Sequence, residues 1–510
     1  MSSSPISKPS MLSSLNPVAT LWGTIVISMG LVGLLMGAAA AALVPPRLAV
    51  WTNVLPFAGL IAAELVLVLA LRPRLLYLLL LFATIVEFET VEDIHVPLGF
   101  MKLYLYDVVF LFNVVLILGR TFLRKTQFRQ IPYNWIVVAY FALGLFSLFY
   151  GWLIEKNPYD RAFGDFRRSF FYFMNYFVTL YLIDSFEDAK TFFRTLLIGA
   201  IALIGKGLYQ TATGQFYFRR AGDAAHILSH IELTFLSLAV FYGAARLIFD
   251  PHARRWLWIL VVAVGGLVTV IGNYRAAWLG LAAGLLLIFL FLPAKRRLQV
   301  TLVMAGTLVV AALTVYALWD TDIGYHSTLG EQIAAKANVG QTTLDVNVIW
   351  RFQSYEAAIQ EWRSNPWFGT GLGKSLEFYT VTTMGQSILA FDHRVHNSFL
   401  YLFMSLGLLG FPVALGVHVL YFVISLRFLR RTNWLEGKIL VLSLASFYAS
   451  MMVATLFEHF LETTSTVTVL ATSMGITMVI IYYGLHKHHE TPSTAPSASS
   501  PPSHVIIRGN

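Results

Sequence analysis

"FDHRVHNSFLYLFMSLGLLGF", Phe391 to Phe411, opens with Asp392, His393, Arg394 and His396 and then runs without a further charge into an apolar helical pattern. Such a segment is polar at its mouth and oily along its length, the pattern of a helix that leaves water and enters a bilayer. Working outward, apolar runs of about 18 residues or more recur along the chain. Of the 510 residues, 57% are hydrophobic and only 12% charged, too little charge to clothe a soluble domain of this size. The class expected is all-α, a polytopic transmembrane helix bundle.

The formal net charge of +9 does not point to nucleic acid, because most of it sits in short loops between apolar runs, where basic residues set topology and meet lipid headgroups. With no cysteine in the chain, disulfides and thiolate chemistry are excluded. The first apolar run, Leu21 to Val44, is longer than the apolar part of a signal peptide and reads as a retained span.

Further spans are expected at Val54–Leu71, Leu75–Val86, Leu103–Gly119, Trp135–Gly151, Ser169–Ile183, Phe192–Thr211, Ile231–Phe249, Leu257–Gly272, Ala276–Leu292, Val300–Leu318, Leu406–Leu426, Ile439–Phe457 and Val467–Tyr483. That makes about 12 to 14 crossings. With the N-terminus inside, the clusters Arg72/Arg74, Arg120 to Arg129, Arg254/Arg255, Lys295 to Arg297 and Arg427 to Arg431 all fall on the cytoplasmic side. The expected organisation is a cytoplasmic tail over 1–20, a transmembrane bundle over 21–318, a large periplasmic loop with short helices over 319–405, C-terminal spans over 406–485 and a disordered cytoplasmic tail over 486–510. A polar insertion of that size is the natural place for chemistry. No internal repeat is visible, which disfavours transporters built from duplicated halves.

Within the insertion, "RFQSYEAAIQEWRSNPWFGTGLGKS" begins as an amphipathic helix with Phe352, Tyr355, Ala358, Ile359 and Trp362 on its apolar face, broken at "NPWFGTGLG". Gly373-Lys374-Ser375 imitates a phosphate-binding loop, but Phe368 stands where that motif needs glycine. The glycines read instead as a tight turn with close backbone approach. Arg351 is either a solvated helix-end cation paired with Glu356 or Asp345, or a phosphate ligand. His396 is either a structural histidine or a half-desolvated base beside Asn397 at the lipid–water boundary. Arg275 interrupts an apolar stretch and sits at the boundary, where a guanidinium wants an anion. In "RAFGDFRRSFFYF", Arg161, Arg167 and Arg168 compete for Asp165, which leaves a cation for phosphate; Arg219 and Arg220 are further candidates. Glu458, His459 and Glu462 have the look of metal ligands, but at the end of a span they read as a solvated turn. No metal is expected.

Three segments in this order resemble the O-antigen ligase and O-antigen polymerase superfamily of bacterial membrane glycosyltransferases: "NYRAAWLGLAAGLL", "RFQSYEAAIQEWRSNPWFGTGLG" and "HNSFLYLFMSLGLLG". They are similar to its Ser-Arg-Gly/Ala turn, its Arg…Pro…Gly-x-Gly loop motif and its His-Asn…Gly-x-x-Gly motif. Asn273 and Tyr274 precede Arg275 where the family often has Ser. The resemblance implies an undecaprenyl-diphosphate-linked glycan donor, and lipid A core or another glycan as acceptor in polysaccharide or lipopolysaccharide synthesis. It implies no cofactor and a site on the periplasmic side of the inner membrane. His396, Arg351 and Arg275 are then the expected catalytic residues, with Arg167, Arg168, Arg219, Arg220 and Asn397 on the diphosphate. The alternatives are a polymerase of the same superfamily and a lipid-linked glycan flippase, which would line a lateral cavity with charge along its depth.

Overall fold

In the computed structural model the described residues are 72–86, 95–97, 102–124, 131–213, 227–292, 346–381, 386–392 and 395–487, with isolated positions between 297 and 313. The spans expected at Leu21–Val44 and Val54–Leu71, most of Val300–Leu318, and Arg219, Arg220, His393 and Arg394 lie outside them. The chain divides into two units, Met1–Leu79 and Leu80–Asn510, and every element that builds the site belongs to the second.

The described chain is helical apart from two antiparallel hairpins. In order, the elements are α1 (Pro73–Val86), β1 (His95–Pro97), β2 (Lys102–Tyr104), α2 (Leu105–Arg124), α3 (Tyr133–Phe149), α4 (Tyr159–Phe166), α5 (Asn175–Leu182), α6 (Phe186–Thr213) and α7 (His230–Phe249). There follow α8 (Arg255–Ile271), α9 (Arg275–Leu290), α10 (Val346–Ser364), β3 (Leu376–Val381), β4 (Ser387–Asp392), α11 (Ser398–Arg431), α12 (Leu435–Thr455) and α13 (Thr464–Lys487). Six described helical segments are long and apolar enough to cross a membrane: α3 with its π-helical extension to Ile154, α6, α7, α11, α12 and α13. The apolar stretches in α1, α2, α8 and α9 are shorter. The protein is a multi-pass helical membrane protein.

Two expectations are corrected. The insertion does not hold only short helices: α10 has 19 residues, and β3 pairs with β4 from Leu376↔Asp392 to Val381↔Ser387. The alternation in "LEFYTV" and "SILAFD" suits strands because Phe378 and Ala390 point inward while Tyr379 and Phe391 point out. In α10, Phe352 and Ile359 are exposed, and the small residues Ser354, Ala357 and Ala358 face the bundle. A helix seated on other helices gains more from close backbone approach than from bulk.

The core is the bundle of α7, α9, α12 and α13, with α9 and α12 packed most extensively. One end of this bundle gathers the start of α7, the start of α11 and the α12–α13 turn. The opposite end gathers Phe186 against Trp434, Lys190 against Glu436 and the Tyr483 hydroxyl on the Asp184 carbonyl.

The first end is held by the glycine loop. α11 starts at Ser398, before the expected Leu406, and breaks at Gly407, whose φ is +63°. The loop from Pro366 to Leu372 repairs the break: Leu408 and Leu409 N–H donate to the Pro366 and Trp367 carbonyls, and Thr370 and Gly371 N–H donate to the Met404 and Ser405 carbonyls. Polar backbone exposed at membrane depth is tolerated only when satisfied in this way. Gly371 has φ +67°, and a Cβ there would stand 2.2 Å from the Gly151 Cα. The glycines therefore serve backbone approach, as the sequence indicated.

Candidate functional site

Each side chain of the site is placed by local sequence logic. Asn397 caps α11, its Oδ1 accepting from the Leu400 N–H at 3.0 Å, which puts His396 just before the first turn. Ser229 and Glu232 form a reciprocal capping box on α7, and Glu232 also takes Lys206 at 2.9 Å, so His230 is locked at the first helical position. The α12–α13 turn is stitched to α11 by Ser398, whose hydroxyl donates to the Glu458 carbonyl and accepts from the Leu461 N–H.

At the centre stands Glu458, a carboxylate 6% exposed. Its Oε1 accepts from Arg351 Nη2 at 2.8 Å, and its Oε2 faces His396 Nδ1 at 3.4 Å. His396 is half-buried, and its backbone carbonyl accepts from the Tyr355 hydroxyl at 2.8 Å. Burial alone raises the carboxyl pKa of Glu458, but His230, His396 and Arg351 more than reverse it, holding it well below the ordinary carboxylate range. Burial raises the Tyr355 hydroxyl, with Arg351 opposing and Glu458 reinforcing, so it stays a donor. The His459 ring lies edge-on 5.2 Å from His396 and 6.0 Å from His230, and His230 stacks on Phe460 and sits 5.6 Å from Tyr274. Arg275, next to Tyr274, opens α9 at this end of the bundle.

A second cluster lies where α4 passes into a π-helical turn, Arg167–Phe171. There Asp107 accepts from the Tyr172 hydroxyl at 2.6 Å, the Tyr104 N–H at 2.8 Å and Arg167 at 3.3 Å, while the Arg167 guanidinium also lies 4.4 Å above the Tyr104 ring. Asp165 accepts from the Tyr401 hydroxyl at 2.6 Å and the Gly373 N–H at 3.1 Å, tying this cluster to α11 and the glycine loop. Arg161 hydrogen-bonds Ser375. The Nη1 of Arg168 and the Nε of Arg275 are buried with no hydrogen-bond partner among the described residues.

Of the expected site residues, His396 and Arg351 are brought onto one carboxylate and Arg275 opens a helix at the same end. Arg167 and Arg168 occupy the neighbouring cluster, and Arg219 and Arg220 fall outside the described residues. Among the described residues Arg351 pairs with Glu458 rather than with Glu356, because the turn after α12 brings that carboxylate onto α10; Asp345 lies outside the described residues. Glu458, His459 and Glu462 do not form a solvated turn: all three are buried where α12, α13 and α11 meet. His230 went unnoticed in the sequence; the available signal was the Ser-x-x-Glu box placing it at a helix start. No curated protein matches the chain. Residues 259–415, which carry Arg275, Arg351 and His396, match the family model Wzy_C, O-antigen ligase, and that match supports the O-antigen ligase superfamily for this chain.

Proposed function

We propose that this protein is a membrane glycosyltransferase that passes a glycan from an undecaprenyl diphosphate carrier to an acceptor hydroxyl, on lipid A core or another glycan, at the periplasmic face of the inner membrane. The observation that carries this reading is the single buried carboxylate of Glu458 facing both Arg351 and His396. A carboxylate at Nδ1 favours the tautomer with its proton there, which leaves Nε2 with a lone pair. Nε2 then takes the proton of the acceptor hydroxyl as its oxygen attacks the anomeric carbon, the bond to the carrier diphosphate breaks with its electron pair, and configuration inverts.

The leaving diphosphate needs cations aligned in advance. Arg351 is held by Glu458 through Nη2 while its side chain stays 31% exposed, and Arg275 adds a guanidinium to the positive end of α9. The buried Nη1 of Arg168 and Nε of Arg275 suit an anionic oxygen, since a buried N–H without a partner costs about 1–3 kcal/mol. Arg167 is pinned by Asp107 and Tyr104 next to Arg168 in sequence and is a further candidate for the diphosphate. Arg219, Arg220 and Asn397 complete the candidate diphosphate set. Arginines take the charge-stabilising role here, so transfer is expected without metal.

The direct test incubates the purified full chain with carrier-linked glycan and each acceptor in turn, and follows transfer by mass. Transfer is expected to survive EDTA. Transfer abolished by EDTA and restored by Mg²⁺ overturns the assignment of the diphosphate to arginines.

A further inference from the structure

His396, Glu458 and His459 offer one ligand atom each, and these atoms lie within 4.8 Å of one another. Two imidazoles and a carboxylate are the donor set of a zinc-type ion rather than of Mg²⁺ or Ca²⁺, which prefer all-oxygen sites. The spacing is informative. An N–H···O hydrogen bond is usually about 2.7–3.2 Å long, and the His396 Nδ1 to Glu458 Oε2 separation is 3.4 Å. Tetrahedral bonds of about 2.0–2.1 Å put neighbouring ligand atoms about 3.3 Å apart. The separation thus suits two ligands of one tetrahedral ion, and without the ion it is a long hydrogen bond that keeps the proton on Nδ1. Bringing a ring nitrogen of His459 to the same separation takes about 1.5 Å of movement, within reach of side-chain rotation. The other carboxylate oxygen stays on Arg351, which fixes the orientation of Glu458 as an outer partner does in metal sites.

We propose that His396, Glu458 and His459 form an inhibitory site for a zinc-type divalent ion. It rests on the transferase reading for its consequence but not for the binding itself. A neutral imidazole carries one N–H. When the ion takes Nδ1 of His396, that proton must move to Nε2, and Nε2 is the atom whose lone pair the transfer needs. Occupancy thus switches off the base with no net proton release from His396, while leaving the arginines in place. His459 has no part in the transfer itself, so the two roles are separable.

The experiment uses the full-length protein, metal-free, in lipid nanodiscs and without a histidine tag. Co²⁺ is titrated while the visible absorption of tetrahedral cobalt is followed, then Zn²⁺ is added as competitor. A saturating cobalt band displaced by Zn²⁺ is expected, with transfer lowered about tenfold or more by the same Zn²⁺ concentrations. His459→Phe keeps an aromatic ring against its neighbours and removes the ligand; His459→Gln is the second variant should the first fold poorly. Either is expected to lose at least about tenfold in Co²⁺ affinity, since even outer partners of a metal site are worth 10–100-fold, and to transfer glycan in the presence of Zn²⁺. His486, His488 and His489 remain in both variants, so metal bound there gives a signal that the variants share with the native chain. No cobalt band, or a band undiminished in both variants, overturns the site. Cobalt binding without Zn²⁺ inhibition of an active enzyme overturns the regulation. No transfer by metal-free protein that still binds cobalt overturns the transferase reading and leaves the metal site standing.

Discussion

At the scale of single residues, chemistry turns on what each side chain can do that its nearest substitute cannot. Arg275→Lys and Arg351→Lys keep the charge but lose the planar fork, and transfer is expected to fall about tenfold or more, equivalent to about 1.4 kcal/mol of transition-state stabilisation. His396→Gln can still hydrogen-bond a hydroxyl but cannot take its proton. A loss of about a hundredfold in kcat with donor KM retained is expected, and near-normal turnover would leave the mechanism without a base. Glu458→Gln keeps shape and removes charge. It is expected to lower kcat by about tenfold or more, since Arg351 loses its ion pair, and Glu458→Asp should recover part of that loss. The same carboxylate links the site to stability. Its folded pKa lies below the unfolded value near 4.5, so its contribution is complete above that pH and is lost as pH falls from there toward the folded value. Melting temperature measured from pH 7 down to acid should drop below about pH 4.5 in the native protein and drop less steeply in Glu458→Gln.

At the scale of elements, the broken helix α11 and the glycine loop stand or fall together. An alanine at position 371 must adopt a left-handed backbone, costing about 1–2 kcal/mol, and must also push its Cβ into Gly151. Gly371→Ala is therefore expected to lower the melting temperature markedly, with a cost of about 2–4 kcal/mol including overpacking. Gly205→Ala is the matched control: it lies in α6, with nothing within 4 Å of the added methyl, and alanine favours a helix by about 1 kcal/mol. If the two variants melt alike, the glycine loop does not brace α11. The π-helical turn at Arg167 has its own consequence. A wider turn shifts the register of the following side chains, and it is there that Arg167 reaches Asp107 while Tyr172 reaches the other oxygen of the same carboxylate.

At the scale of the whole molecule, the two ends of the bundle carry different chemistry. One end holds Glu458, His396, Arg351 and the start of α9; the other holds Lys190, Glu436, Trp434 and the α7–α8 turn with His252. The absence of native cysteine makes both ends addressable by labelling. Ser375→Cys is expected to react with a membrane-impermeant thiol reagent from the periplasm, and His252→Cys only after the inner membrane is permeabilised. The reverse result would invert the topology and place the candidate site in the cytoplasm.

The sequence by itself determined the class of molecule and the addresses of its polar mouths. Apolar length and period mark α7, α12 and α13 to within a few residues, because a helix that crosses a bilayer must satisfy its backbone internally and its composition must follow. It also singled out Arg275, Arg351 and His396, since charges at the edge of apolar runs are costly without purpose. What it left undecided was their partner. Glu458 is 107 residues from Arg351 and 62 from His396, and in "FEHFLE" nothing distinguishes a carboxylate that faces water from one folded under α11. Only the packing of α10 and α11 over the α12–α13 turn removes water from it and brings a guanidinium and an imidazole onto the same carboxylate. Burial and long-range pairing depend on where the helices lie against one another, whereas the periodicity of a sequence records only which faces are apolar.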